Sequence, residues 1–231
     1  MNQPRADTAT ALFGIDHIAL RVGDPEAIAG FLARHCGMDS SESADDFTVV
    51  APPGGRTKLF LSAADEAADK GALERVVLRV SDMERALALL PAEVRVERSQ
   101  PELASFEGPE DLGLGFTQVF GGEAEYDVDH VVLRVMDPDE TTLALAELGF
   151  VPRGGALHVA DKQIRLEPGM RSAGENERLS HIGVVVESVE AVKGQALRGG
   201  LEVDELTLEP NRVGVYLRGP ERLRIEYSER A

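Results

Sequence analysis

The chain has 231 residues, 43% of them hydrophobic, with 41 acidic against 24 basic side chains and a formal charge of −17. That is apolar material enough for a buried core, and a surface so acidic repels phosphate backbones and anionic headgroups, which argues against nucleic-acid and membrane partners. One cysteine, Cys36, can form no internal disulfide, no run reaches the roughly 18 apolar residues of a membrane span, and no secretion signal opens the chain, so a cytoplasmic protein is expected.

In chain order, residues 14–25 read GIDHIALRVGDP. Alternation predicts a strand with Ile15, His17, Ala19 and Arg21 on one face and Ile18, Leu20 and Val22 on the other. Asp24 suits an N-cap with Pro25 at the first helical position, and Ile28, Phe31 and Leu32 space an apolar stripe before Gly37. The same plan returns three times, at intervals of roughly 50–60 residues. Residues 72–83, ALERVVLRVSDM, are capped by Ser81 or Asp82, with the helix ended by Pro91. Residues 126–137, YDVDHVVLRVMD, run into Asp137 and Pro138, with Gly149 closing. Residues 178–189, RLSHIGVVVESV, open a helix at Ser188 that stops at Gly199 and Gly200. Superposing the copies aligns His17, Arg75, His130 and His181. Shorter strand-like pieces follow each helix, so each copy is a βαβββ module. The expected architecture is α+β, with consecutive modules paired into two domains, residues 1–122 and 126–231, and the boundary at 121–125.

A βαβββ unit with histidine in its first strand, used in pairs, resembles the vicinal oxygen chelate superfamily: glyoxalase I, methylmalonyl-CoA epimerase, bleomycin-resistance proteins and extradiol dioxygenases. The resemblance covers nearly the whole chain. It implies paired modules curved around a cavity, with metal ligands on the first and last strands of each. Aligning the last strands by GPERLRIEY (219–227), GPEDLGLGF (108–116), IRLE (164–167) and LFLS (59–62) sets Glu226, Gly115, Glu167 and Ser62 at corresponding positions. The C-terminal pair then holds His130, Glu167, His181 and Glu226, whereas the N-terminal pair holds His17, Ser62, Arg75 and Gly115. On this alignment only the C-terminal pair binds metal. The N-terminal pair has lost its ligands, and His17 is read as structural or vestigial.

Two imidazoles with one or two carboxylates suit one divalent ion, Fe, Mn, Ni or Zn. By strand alternation Arg165 shares a face with Glu167, and Arg224 with Glu226, so both arginines are candidate binders of an anionic part of a small-molecule substrate. Tyr216, ten residues before Glu226, matches the spacing of the active-site tyrosine of extradiol dioxygenases, although the histidine those enzymes carry shortly before it is missing. The leading expectation is a lyase or isomerase of the glyoxalase or epimerase kind. In it His130, His181 and Glu226 are ligands, and Glu167 is a fourth ligand that can leave the metal to act as base. An extradiol-type dioxygenase using Fe(II) with Tyr216 near the substrate is the second. The third is a non-catalytic binding module for a small molecule such as an antibiotic. A homo-oligomer is left open.

Overall fold

A computed structural model of the protein describes residues 11–44, 46–64, 68–120, 126–170, 176–209 and 212–229. The expected boundary at 121–125 lies outside the described residues. The first unit is β1 (Leu12–Val22), α1 (Pro25–His35), β2 (Asp39–Ser43), β3 (Phe47–Ala51) and β4 (Lys58–Ala63). The second is β5 (Leu73–Val80), α2 (Met83–Ala88), β6 (Glu97–Gln100), β7 (Leu103–Glu107) and β8 (Gly113–Gln118). The third is β9 (Tyr126–Val135), α3 (Pro138–Glu147), β10 (Val151–Arg153), β11 (Ala156–Val159) and β12 (Lys162–Pro168). The fourth is β13 (Leu179–Val186), α4 (Val189–Arg198), β14 (Val203–Glu209), β15 (Arg212–Arg218) and β16 (Arg224–Glu229). All four are βαβββ modules. Each helix begins where the sequence supplies an acceptor: Asp24, Asp82, Asp137 and Ser188 each accept from the backbone N–H three residues on.

The units close into two eight-stranded sheets, ordered β14-β15-β16-β13-β1-β4-β3-β2 and β10-β11-β12-β9-β5-β8-β7-β6. Within a unit the first strand runs parallel to the last, so one edge of the first strand stays open. An open edge carries unpaired backbone groups and is satisfied by the first strand of another unit, running antiparallel. This pairing corrects the expected domains. The second unit pairs with the third, and the first pairs with the fourth, so residues 1–122 and 126–231 are each split between the two sheets. Adjacency in sequence predicts neighbours pairing in order. What decides the matter instead is that β5 and β9 cover each other's open edges, which leaves β1 and β13 to do the same.

Alternation along the first strands puts Ile18, Leu20 and Val22, and their counterparts Val76, Leu78, Val80, Val131, Leu133, Val135, Ile182, Val184 and Val186, in one buried apolar cluster with the helices. The other face carries the histidines. Two tight turns tie the units of each half-chain together. In them Glu110 and Glu221 adopt left-handed backbone (φ 56° and 51°), a conformation uncommon for residues other than glycine. The Glu110 carboxylate accepts from the N–H groups of Gly23 and Asp24, and Glu221 accepts from those of Met136 and Asp137. Each thereby receives donors at the start of a helix in the preceding unit.

Candidate metal centre

The register of β1 against β13 sets His17 opposite Gly183 and Ala19 opposite His181. Each histidine therefore lies across a small residue of the facing strand. A Cβ at Gly183 would come within 2.3 Å of the His17 ring, so glycine is what lets the imidazole lie over the neighbouring strand. The two Nε2 atoms come to 2.9 Å of each other. From β16, registered with Glu226 beside Gly183, the Oε2 atom of Glu226 reaches 3.2 Å from His181 Nε2 and 3.8 Å from His17 Nε2. Among the described residues this is the group of three whose ligand atoms all lie within 4.8 Å.

The protonation states suit a cation. His17 Nδ1 donates to Asp16 at 3.0 Å, which leaves its Nε2 lone pair facing inward, and His181 Nδ1 hydrogen-bonds with the Ser180 hydroxyl at 3.2 Å. Burial pushes His181 below its ordinary value and so keeps it neutral. For Glu226 burial acts upward, but the hydrogen bond from His181, the electrostatic pull of the two imidazoles and the Tyr216 hydrogen bond outweigh it, and its carboxyl is held low. First-row divalent ions hold such donors at about 2.0–2.2 Å, so ligands at right angles are about 3 Å apart, close to the shorter two spacings here. Two imidazoles and a carboxylate, without thiolate, form the facial donor set of a hard or borderline ion.

The register also shows what stands at the fourth position. In the first unit Ala19 is beside Phe60, as Gly183 is beside Glu226. The counterpart of Glu226 is therefore Phe60 and not Ser62. Phe60 stacks on Phe47 with ring centres 4.8 Å apart and planes at 19°, so the paired unit offers an apolar ring, and no second carboxylate, at the position equivalent to Glu226. Tyr216, beside Glu226 in the β15–β16 ladder, brings its hydroxyl to 3.5 Å from His181 Nε2. Burial and the Glu226 charge raise its pKa to about 12, so it stays protonated.

Of the expected ligands, His181 and Glu226 come together here, and Tyr216 and Arg224 stand beside them. His130 and Glu167 do not, and His17 takes the place given to His130. In the other sheet Val132 is beside Arg165, so the counterpart of Glu226 in the third unit is Arg165, and Glu167 lies two residues further along. His130 is buried against Asp129, to which its Nδ1 donates at 2.8 Å, and faces Val77. Arg75 holds the place of His181, and Gly115 that of Glu226. Charges pair among themselves there: Arg79 with Asp129 at 3.2 Å, Arg75 with Glu74 and Glu167 at 3.6 and 3.8 Å, and Lys162 with Asp127. Arg165, exposed, contacts Gln163. For Asp129, burial acts upward but is outweighed by the His130 hydrogen bond and the His130, Arg79 and Arg165 charges, which together keep it ionised.

No family model matches the sequence, and no curated protein matches it. Solved structures do. A glyoxalase I variant from Zea mays superposes with a TM-score of 0.75 at 14% identity, over 96% of this chain and 94% of that one. A suspected dioxygenase from Bacillus subtilis gives 0.73 at 18%, over 96% and 86%. The cppA protein of Streptococcus pneumoniae gives 0.68 at 12%, over 96% and 100%. At such identities the likeness is one of fold: the chain has the vicinal oxygen chelate fold, its four βαβββ units closed in pairs into two sheets.

Proposed function

We propose that the protein is a metal-dependent enzyme that holds one divalent ion, Fe(II) or Mn(II), with His17, His181 and Glu226, and that it performs dioxygenase-type chemistry on a small molecule with two neighbouring oxygen atoms. The observation that carries this reading is the number of protein ligands. An octahedral ion with three such donors keeps three positions, enough for two substrate oxygens and a second reactant, and it would supply Lewis acidity and, as iron, electrons for oxygen activation. The lyase or isomerase expectation relied on a fourth ligand that could also act as base. Phe60 at that position removes the group. The remaining roles fall to neighbours: Asp16 orients His17, and protonated Tyr216 donates a hydrogen bond at the rim of the centre and is not suited to remove a proton.

The test is anaerobic loading of the untagged protein with Fe(II), followed by oxygen-uptake measurements with a panel of aromatic and aliphatic vicinal diols. Oxygen consumption matched to ring-opened or cleaved product is the expected result. Isomerisation of a hemithioacetal or acyl-CoA with Mn(II), Ni(II) or Zn(II), without oxygen uptake, would return the assignment to the lyase or isomerase class. Tight binding of a ligand by metal-free protein without turnover would favour the binding module.

A further inference from the structure

Beside the candidate centre is an arginine that, among the described residues, makes no ion pair. Arg224 stands two residues before Glu226 on β16, hence on the same face, and its guanidinium carbon lies 4.4 Å from the centre of the Tyr216 ring. It is half-buried, and its charge is felt at both His181 and Tyr216. Among the described residues no carboxylate comes within 4.0 Å of it, whereas the half-buried Arg75 and Arg79 of the other sheet both have carboxylates that close. In a chain with 41 acidic side chains against 24 basic ones, a partly desolvated guanidinium without a counter-charge marks a place where an anion is supplied from outside. The cation–π contact with Tyr216 positions the guanidinium, whose N–H donors suit a bidentate anionic partner.

The opposite side is apolar and flat. Phe60 tilts towards His17, with ring centres 6.5 Å apart, and is backed by Phe47. Both phenylalanines are only partly buried, so they present ring surface. We propose that the substrate is a planar, apolar-bodied carboxylate: two adjacent oxygens meet the His17, His181 and Glu226 group, the carboxylate pairs with Arg224, and the ring lies along Phe60. This deepens the function proposed above and rests on it.

The experiment uses full-length protein loaded with Zn(II), which is redox-inert, so that binding is read apart from turnover. Catechol and 3,4-dihydroxybenzoate are titrated calorimetrically into wild type, Arg224→Gln and Arg224→Lys, with metal content and far-UV ellipticity checked for each. In wild type the acid should bind at least about tenfold tighter than catechol, the advantage expected of a charge-assisted pair. That ratio should collapse towards one in Arg224→Gln and return in part in Arg224→Lys. If catechol binds and the carboxylate adds nothing, the inference fails alone, and Arg224 merely packs on Tyr216. If neither diol binds protein that retains its zinc, chelation of neighbouring oxygens fails, and the inference falls with it.

Discussion

At the scale of the residue, the proposed metal centre would depend on three side chains and on the small residues that let them meet. Replacing His17 with alanine should lower metal affinity by more than the 10- to 100-fold that losing an outer partner costs, and Asp16→Asn should fall within that range. His130→Ala should leave metal content unchanged. Equilibrium dialysis with elemental analysis compares the three. Burial keeps His181 neutral, whereas an unfolded histidine takes up a proton near pH 6.5. The unfolded state of the metal-free protein therefore binds more protons below that value, and stability should fall as pH is lowered from about 7 to 5.5. Denaturant titrations should show this slope, and His181→Gln should flatten it. Part of this was legible in the sequence. His181 and Glu226 are readable from their repeat positions, Arg224 from strand alternation and Tyr216 from the spacing shared with extradiol dioxygenases, but His17 is not, because its partners lie outside the neighbouring unit. A signal existed: His17 and His181 are each followed two residues later by a small residue, Ala19 and Gly183, whereas Arg75 and His130 are followed by Val77 and Val132. Small residues at that position mark the two strands whose histidines lie across each other.

At the scale of the element, the sequence marked the strands, the helices and their caps, because periodicity and capping chemistry are local. The last strands of the first and third units were misaligned by two residues, Ser62 for Phe60 and Glu167 for Arg165. The physical reason is that strands repeat every two residues. A slip of one turns every side chain to the wrong face, but a slip of two preserves the faces and leaves no trace in the alternation. Only the register against the first strand fixes the position. The facing strands also set tolerances. Gly183→Ala would drive a Cβ into the His17 ring, costing about 1–3 kcal/mol of stability and displacing a ligand, so thermal melting and metal binding should suffer together. Glu221→Ala removes the acceptor for two backbone donors at the start of α3. Because those groups are exposed to water, the loss should be about 1 kcal/mol in denaturant unfolding with metal retained.

At the scale of the whole molecule, the crossed pairing of units means that neither half of the chain owns the centre. Fragments 1–122 and 123–231, produced separately, should bind no metal. Produced together, they should recover it, since every strand pair of both sheets is then available. Metal retained by the fragment 123–231 alone would contradict the pairing. The two imidazoles that meet are 164 residues apart along the chain, and that separation bears on how the protein folds. Closing so long a loop costs entropy before any contact rewards it, and contacts of this kind form late. Secondary structure and the sheet of the second and third units should therefore appear before the centre, and metal capture should coincide with the slowest refolding phase seen by far-UV ellipticity. Leu12 and Glu229 both register against Val186, about two strand spacings, or roughly 10 Å, apart. A permutant joined there by a short linker and opened between residues 122 and 123 makes the fourth and first units neighbours in sequence. It should capture metal sooner in refolding while ending at the same structure, because the loop between the first and fourth units shortens and the set of strand pairs does not change.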